Sequence, residues 1–208
     1  MLKITSDIFR YMDSGKLCLL SILDLSSAFD TVDHDILIER LHTSYGFRDN
    51  VLSWIGSYLR DRVVSTLSPS DRSCTSPVQS GVPQGSVLGP LLFILYTADL
   101  IPLVLSHGLR VHMFADDIQI YGSCAPGQTT DLITLTSDCL DAVIAWSSSN
   151  RLLLNSSKSN FMWCASPRRK HDLPSDPIRV GSSYVVPTHR VRVLGVSLPC
   201  TLFQHSFM

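Results

Sequence analysis

The 208-residue sequence has the composition of a folded protein, because 45% of its residues are hydrophobic and 17 basic residues nearly balance 18 acidic ones. This composition excludes a chain that is disordered throughout, and a net charge of −1 excludes a global basic field for nucleic acid. Six scattered cysteines without a C-x-x-C pair predict reduced thiols. The charged first sixteen residues carry no signal-peptide pattern, so we expect a nuclear or cytoplasmic protein that is not secreted.

The first elements predicted are a helix and a buried strand. Apolar residues at helical spacing predict a helix over residues 2–14, and the nearly continuous apolar run 17–25 predicts the strand. Asp24 lies near the end of that strand, where a carboxylate is costly unless a partner or a metal ion uses it. A turn or helix-capping role is the better interpretation of the acids that follow, which are Asp30, Asp33 and Asp35.

Two helices, an exposed hairpin and a glycine-rich segment come next. We expect helices over residues 33–41 and 50–59, and a hairpin formed by 63–67 and 73–79 around a turn at 68–71. The segment 80–90 then leads into a predicted helix over 91–105. Because Asp99, Pro90 and Pro102 interrupt its apolar sequence, we predict a core helix and no membrane span.

The glycine-rich segment has the composition of a ligand-binding loop. Glycines ahead of a helix let the backbone approach a ligand closely, and a helix N-terminus favours phosphate. No Gly-Lys-Ser or Gly-Lys-Thr follows, which excludes a Walker A loop. A purely structural turn explains Pro90 at the helix start but leaves Gln84 unexplained.

Two adjacent carboxylates, Asp116 and Asp117, lie between two runs in which apolar and polar residues alternate. The alternation predicts a β-hairpin with the aspartates at its bend. A solvated turn is one interpretation of such a pair. The other is a site for a hard divalent cation such as Mg²⁺, which takes carboxylate oxygens and substrate phosphates as ligands.

The last third of the chain predicts a helix over 130–147, a strand, turn and strand over 151–163 with Lys158 at the turn, and a loop with a basic cluster. Short strands follow near 178–180, 184–186 and 191–196. A lysine in a turn is usually only solvated.

Three strings in this order resemble the reverse transcriptases of non-LTR, LINE-type and jockey-like, retrotransposons. They are Leu23-Asp24-Leu25-Ser26-Ser27-Ala28-Phe29-Asp30, Gly81-Val82-Pro83-Gln84-Gly85-Ser86 and Phe114-Ala115-Asp116-Asp117, followed by Asn155 to Lys158. The resemblance implies an α+β polymerase palm, an antiparallel sheet backed by helices with the acids on its open face. It covers residues 1–196, with truncated fingers and thumb, and leaves 197–208 as an unassigned tail.

The resemblance also implies the site residues. Asp24, Asp116 and Asp117 match the catalytic aspartates that bind two Mg²⁺ ions, for which Mn²⁺ can substitute. Phe29 matches the aromatic residue that packs under the sugar and excludes a ribose 2′-OH.

Further matches concern substrate binding. Gln84 and Gly85 match the loop that contacts the incoming nucleotide and the template. Lys158 matches a lysine that assists the pyrophosphate leaving group, and Leu194-Gly195 resembles the start of the primer-grip hairpin.

The function implied is that of an RNA-directed DNA polymerase core that adds dNTPs to a primer 3′-OH, with an RNA template and a DNA primer as partners. A catalytically inactive retrotransposon remnant with weak nucleic-acid or protein binding is the alternative. An unrelated Mg²⁺ phosphohydrolase remains open if the glycine-rich string is coincidental.

Overall fold

The structure is a computed structural model and describes residues 2–65, 75–193 and 196–199. It has two compact units. The sheet unit comprises residues 1–25, 100–146 and 154–208, and the helical unit comprises 26–99 and 147–153. In chain order the elements are α1 (Leu2–Asp13), β1 (Leu17–Ser26), α2 (His34–Thr43), α3 (Asp49–Leu59), β2 (Arg62–Val64), β3 (Ser76–Val78), α4 (Leu88–Thr97), α5 (Leu100–Ser106), β4 (Arg110–Phe114), β5 (Asp117–Cys124), α6 (Thr129–Ser149), β6 (Leu153–Leu154), β7 (Asn160–Cys164), β8 (Ile178–Val180), β9 (Ser183–Val185), β10 (Arg190–Val193) and β11 (Val196–Pro199).

The sheet unit is built around β1. β5 pairs antiparallel with it along one side, β4 continues the sheet beyond β5, and β6 and β7 both pair with β1 on its other side. The predicted strand, turn and strand around Lys158 therefore supply β6 and β7, which both pair with β1. Strand β1 is buried from Leu17 to Leu23 because it is the central strand.

Helix α1 covers part of one face of this sheet. Its buried residues Ile4, Ile8 and Met12 belong to one core cluster with Leu20 and Ile22 of β1. Side chains alternate along a strand, so Asp24 shares the face of Leu20 and Ile22. Helix α1 therefore covers this face at Leu20 and Ile22, whereas Asp24, near the end of the strand, is half-buried.

In the helical unit, α2 begins as the sequence predicts. The Asp33 side chain accepts hydrogen bonds from the backbone N–H groups of Asp35 and Ile36, both at 3.0 Å, and so caps the helix. Near the end of α2, Arg40 donates to the side-chain oxygen of Asn150 at 2.7 Å. The α2 helix is thus anchored at both ends within its own unit.

The helix predicted over 91–105 is two helices, α4 and α5, separated at Ala98 and Asp99. Asp99 forms an ion pair with Arg40, at 3.0 Å between Nε and Oδ2. Together, residues 88–106 form a stretch that is long and apolar enough to cross a membrane by length and composition, and 39% of its apolar part is buried inside the protein.

Two further expectations concern loops. β2 and β3 form the predicted hairpin. Its turn at 68–71 lies outside the described residues, as does Leu194-Gly195, the predicted start of the primer-grip hairpin. The loop predicted after β7 contains a 3₁₀ helix, Pro167–Asp172.

Candidate active site

The β4–β5 hairpin separates the two adjacent aspartates. Ala115 and Asp116 form the turn, with Ala115 at φ +53°, and Asp117 is already the first residue of β5. The prediction that both acids lie at the bend is thus refined, because one belongs to the turn and the other to the strand. Neighbouring Phe114 is 59% exposed.

Strand pairing brings the third acid to the same place. Asp24 and Asp117 are partners in the register of β1 and β5. All three aspartates are half-buried. Asp24 and Asp117 are thus on facing strands, and Asp116 immediately precedes Asp117. Asp24 and Asp116, which are 92 residues apart in sequence, therefore lie at the same end of the sheet.

This grouping has an electrostatic cost. The pKa of Asp117 is raised above its ordinary value, first by burial and then by the negative charges of Asp116 and Asp24. The Lys158 ammonium offsets part of this charge, with its Nζ 3.6 Å from Oδ2 of Asp24. Lys158 is therefore placed beside the acids and is not merely a solvated turn residue.

The Lys158 turn is attached directly to β1 through Asn155. The backbone N–H of Asn155 donates to the carbonyl of Asp24 at 2.8 Å, and its side-chain oxygen accepts from the Lys158 N–H at 3.2 Å and the Ser157 hydroxyl at 2.6 Å. Sequence reasoning used Asn155 only as part of a motif. The signal for its structural role was an asparagine opening a turn.

The helical unit holds the other predicted site residues. The backbone N–H of Val82 donates to the carbonyl of Phe29 at 2.8 Å, and Gln84 Nε2 donates to Oδ1 of Asp30 at 2.8 Å. The Phe29 ring stacks on Phe93, with 4.6 Å between centroids. The structure therefore brings the Phe29 and Gln84 segments together.

Gly85 is exposed beside Gln84. Its φ is +77°, a value that favours glycine, and a Cβ there would meet no atom within 4 Å. Its backbone is thus open to a ligand.

Sequence reasoning missed two residues beneath this loop. The His34 Nε2 donates to the carbonyl of Gly81 at 2.9 Å, and Arg62 donates to the same carbonyl and to that of Ser80 at 3.2 Å. Their side chains thus bind the glycine-rich segment through its backbone carbonyl groups. No local pattern marks them, because their partners are 47 and 19 residues away.

The donor set suits a hard divalent cation. Three carboxylates supply only oxygen ligands. Burial raises the pKa of Asp117 most, and the negative charges of Asp116 and Asp24, which a bound cation would offset, raise it further. Within residues 2–65, 75–193 and 196–199, no three His, Cys, Asp or Glu side chains are already arranged as a metal site. The donor chemistry therefore fits a hard divalent cation.

Solved structures of similar architecture define the fold. A telomerase from Candida tropicalis in complex with an RNA fragment superposes with a TM-score of 0.64 over 96% of this chain and 31% of its own, at 11% identity. A telomerase from Candida albicans gives 0.58 over 98% of this chain and 35% of its own, at 16% identity. The fold is that of a reverse transcriptase palm, and the predicted α+β class is confirmed.

Sequence comparison identifies the family. The chain belongs to the reverse transcriptase (RNA-dependent DNA polymerase) family, whose profile matches residues 3–198. It is 31% identical over 199 residues to the probable RNA-directed DNA polymerase from transposon X-element of Drosophila melanogaster, covering 94% of this chain and 21% of the relative. The polymerase from mobile element jockey of Drosophila funebris is 29% identical over 200 residues, covering 89% and 21%.

These relatives confirm the predicted resemblance to non-LTR retrotransposon reverse transcriptases. The chain spans about a fifth of the length of the jockey and X-element polymerases.

Proposed function

We propose that this chain is the catalytic core of an RNA-directed DNA polymerase that transfers a nucleotide from a dNTP to a primer 3′-OH. The observation that carries the proposal is the register of β1 and β5, in which Asp24 is opposite Asp117, the residue that follows Asp116 in sequence. An RNA template, a DNA primer and dNTPs are the proposed substrates. A nuclear or cytoplasmic location is proposed with them.

The three aspartates are the groups that would hold divalent metal ions, with Mg²⁺ as the proposed ion and Mn²⁺ as a substitute. Two such ions, when bound, activate the attacking 3′-oxygen and stabilise the leaving oxygen of an in-line displacement. The electrostatics of the site support this role: burial, followed by the charges of Asp116 and Asp24, raises the pKa of Asp117, and a bound cation would relieve the repulsion among the three carboxylates.

Lys158 is proposed to act on the leaving group. Its side chain is 67% exposed and its ammonium lies 3.6 Å from the Asp24 carboxylate, so it can reach a ligand held by that carboxylate. There it would donate a hydrogen bond and a proton to the departing pyrophosphate oxygen, because that oxygen gains negative charge as its bond to the α-phosphorus breaks.

Phe29, Gln84 and Gly85 are proposed to contact the nucleotide. Phe29 is fixed by its stacking on Phe93, and a fixed ring can exclude a ribose 2′-OH by steric contact. Gly85 offers an open backbone beside the Gln84 side chain. These contacts would select a deoxynucleotide and align it with the template.

The test is primer extension on an RNA template with Mg²⁺ or Mn²⁺, comparing wild type with Asp116→Asn and Asp117→Asn. Extension by wild type that falls by at least about a hundredfold in both variants supports the proposal. Asp131→Asn, which changes an exposed acid at the start of α6, is the matched control and should extend like wild type. Absence of extension by folded wild type would overturn the proposal in favour of the inactive remnant.

A further inference from the structure

We propose that a cavity between the α1–β1 turn and the 3₁₀ helix Pro167–Asp172 binds the phosphate backbone of a nucleic acid, at the other end of the sheet from the three aspartates. The basic cluster Arg168-Arg169-Lys170 supplies the positive charge, and the proposed polymerase reaction does not use it. The inference rests on the proposed function only for the identity of the polyanion, because a polymerase has to hold a nucleic-acid strand.

The cavity lies within the sheet unit and has a volume of about 650 Å³. Met12, Asp13 and Gly15 line it on one side, and Arg168, Arg169 and His171 line it on the other. Sites for small molecules and cofactors have volumes of roughly 300–1,000 Å³. The cavity therefore has room for a phosphate group together with its sugar.

Arg169 brings hydrogen-bond donors to this cavity. Its Nη1 lies 3.4 Å from Oδ2 of Asp172, whereas Nε and Nη2 have no acceptor among the residues that the structure describes. Gly15 leaves space beside these two nitrogens, since a Cβ built on Gly15 would lie 3.9 Å from each of them. Nε and Nη2 form one planar edge of the guanidinium, which matches two oxygens of a phosphate.

The neighbouring cations make the surface suitable for a polyanion. Arg168, Lys170 and Lys16 are exposed, and in the described part of the chain none of the three forms an ion pair. With Arg169 they give four positive charges against the two acids of the cavity, Asp13 and Asp172. Cations spread over two segments of the chain suit a row of phosphates better than one free anion.

The cavity and the aspartates are separated by most of the length of β1. Leu17 begins this strand and Asp24 lies seven residues later, which corresponds to roughly 23 Å at about 3.3 Å per residue. Along one strand of a duplex, roughly 23 Å corresponds to about seven nucleotides at 3.4 Å each. Phosphates bound at the cavity therefore contribute affinity and take no part in the chemistry at the aspartates.

Arg168→Gln and Lys170→Gln test the contribution of charge. The full chain is titrated into an end-labelled RNA–DNA hybrid duplex in EDTA, which removes divalent ions from the aspartates, and fluorescence anisotropy gives the binding constant K. Each cation that contacts a phosphate contributes about 0.7–0.9 to the slope of log K against log salt concentration. Each variant should reduce the steepness by about one and the double variant by about two, with at least about tenfold weaker binding at about 50 mM salt.

Arg169→Lys tests the guanidinium edge separately from its charge. The substitution keeps the positive charge, so the salt dependence should stay as in wild type. A lysine ammonium cannot donate two parallel hydrogen bonds, so binding should weaken about tenfold, the factor expected of one hydrogen bond to a charged group. A merely electrostatic role of Arg169 would leave the affinity unchanged and would overturn its assignment as a phosphate contact.

The matched control is Arg48→Gln, which changes the net charge equally at an exposed position of the helical unit and should keep the wild-type salt dependence. The inference is overturned if Arg168→Gln and Lys170→Gln leave the slope unchanged, or if Arg48→Gln reduces it equally. Tighter binding to phosphatidylserine vesicles than to the hybrid, or equally tight binding to inorganic phosphate, also overturns it, because the site would then belong to a membrane or a free anion.

The same titrations distinguish the inference from the proposed function. Reduced slopes in the two glutamine variants of a chain that extends no primer support the inference and overturn the proposed activity. Primer extension by a chain whose slope is the same in wild type and both variants overturns the inference alone. A wild-type chain that neither binds the hybrid nor extends a primer overturns both.

Discussion

Asp24 and Asp117 face each other across two antiparallel strands, and the backbone of Asp24 is also bound on its other side by the N–H of Asn155. Asp24 is thus held by neighbours on both edges of β1. This fixes the backbone that carries the Asp24 carboxylate beside Asp117, and the Lys158 ammonium, 3.6 Å from that carboxylate, offsets part of the repulsion.

Asp116→Asn is expected to stabilise the folded chain in metal-free buffer at neutral pH. The substitution removes a charge that raises the pKa of Asp117, and asparagine is well suited to a turn. Because the acids are partly exposed, solvent screening limits the gain to below about 1 kcal/mol, or roughly 2–4 °C in Tm for a chain of this size. Thermal unfolding of wild type and Asp116→Asn in EDTA measures this gain in Tm.

The size of this effect depends on pH. A carboxyl whose folded pKa is raised binds protons more tightly in the folded state, so folding stability falls as pH rises from the ordinary Asp value through the raised one. The advantage of Asp116→Asn should therefore be greatest at neutral pH and shrink on acidification. An equal gain in Asp131→Asn would contradict this account, because that acid is not among those affecting Asp117.

Gly81→Ala is expected to destabilise the chain more than Gly85→Ala. Both glycines have positive φ, +83° and +77°, which costs an alanine about 1–2 kcal/mol. At Gly81 the added Cβ also meets the Asp30 backbone, and such overpacking costs a further 1–3 kcal/mol or so. Urea unfolding gives the free energy of unfolding of each variant. Equal free energies would show that the loop does not pack against Asp30.

Arg62→Ala is expected to loosen the glycine-rich segment. The guanidinium donates to the carbonyls of Leu59, Ser80 and Gly81, and loss of these bonds costs about 1–3 kcal/mol. Hydrogen exchange of the backbone amides of residues 80–82 and 84–86 should accelerate. Arg62→Lys should recover only part of the effect, since an ammonium cannot reproduce the planar fork.

The neighbouring Arg60→Ala is the control for Arg62. Arg60 forms an exposed ion pair with Asp35 at 3.3 Å, and such surface pairs contribute about 0–1 kcal/mol. Similar exchange rates in the two alanine variants would contradict a specific role for Arg62.

The sequence predicted those features that depend on short stretches of chain. The helical period of residues 2–14, the apolar run of β1 and the Asp33 cap each depend on neighbours within a few positions. The break at Asp99 was not predicted, because the stretch around it is apolar and its partner, Arg40, is far away in sequence. The role of Arg62 and the Gln84–Asp30 contact were not predicted for the same reason, because in each case the two bonded groups belong to different segments of the chain.

Tyr121→Phe is expected to destabilise the sheet unit in a pH-dependent way. The Tyr121 hydroxyl donates to Oδ2 of Asp7 at 2.8 Å, and Arg110 donates to the same oxygen at 3.1 Å, which joins α1 to the β4–β5 hairpin. The bond from Tyr121, followed by the charge of Arg110, lowers the pKa of Asp7 despite its burial. A hydrogen bond to a charged group contributes about 1.5–3 kcal/mol, which is the loss expected at neutral pH.

The pH profile distinguishes this loss from simple cavity formation. A carboxyl whose folded pKa is lowered stabilises the fold above its unfolded value of about 4, and this contribution disappears as pH falls through the folded pKa. The difference between wild type and Tyr121→Phe should therefore be constant near neutrality and shrink below about pH 4. Tyr184→Phe, at a 69% exposed position, should be nearly neutral at every pH. Urea unfolding from pH 3 to 7 measures both, and a pH-independent difference for Tyr121→Phe would show that the Asp7 charge does not contribute to the attachment of α1.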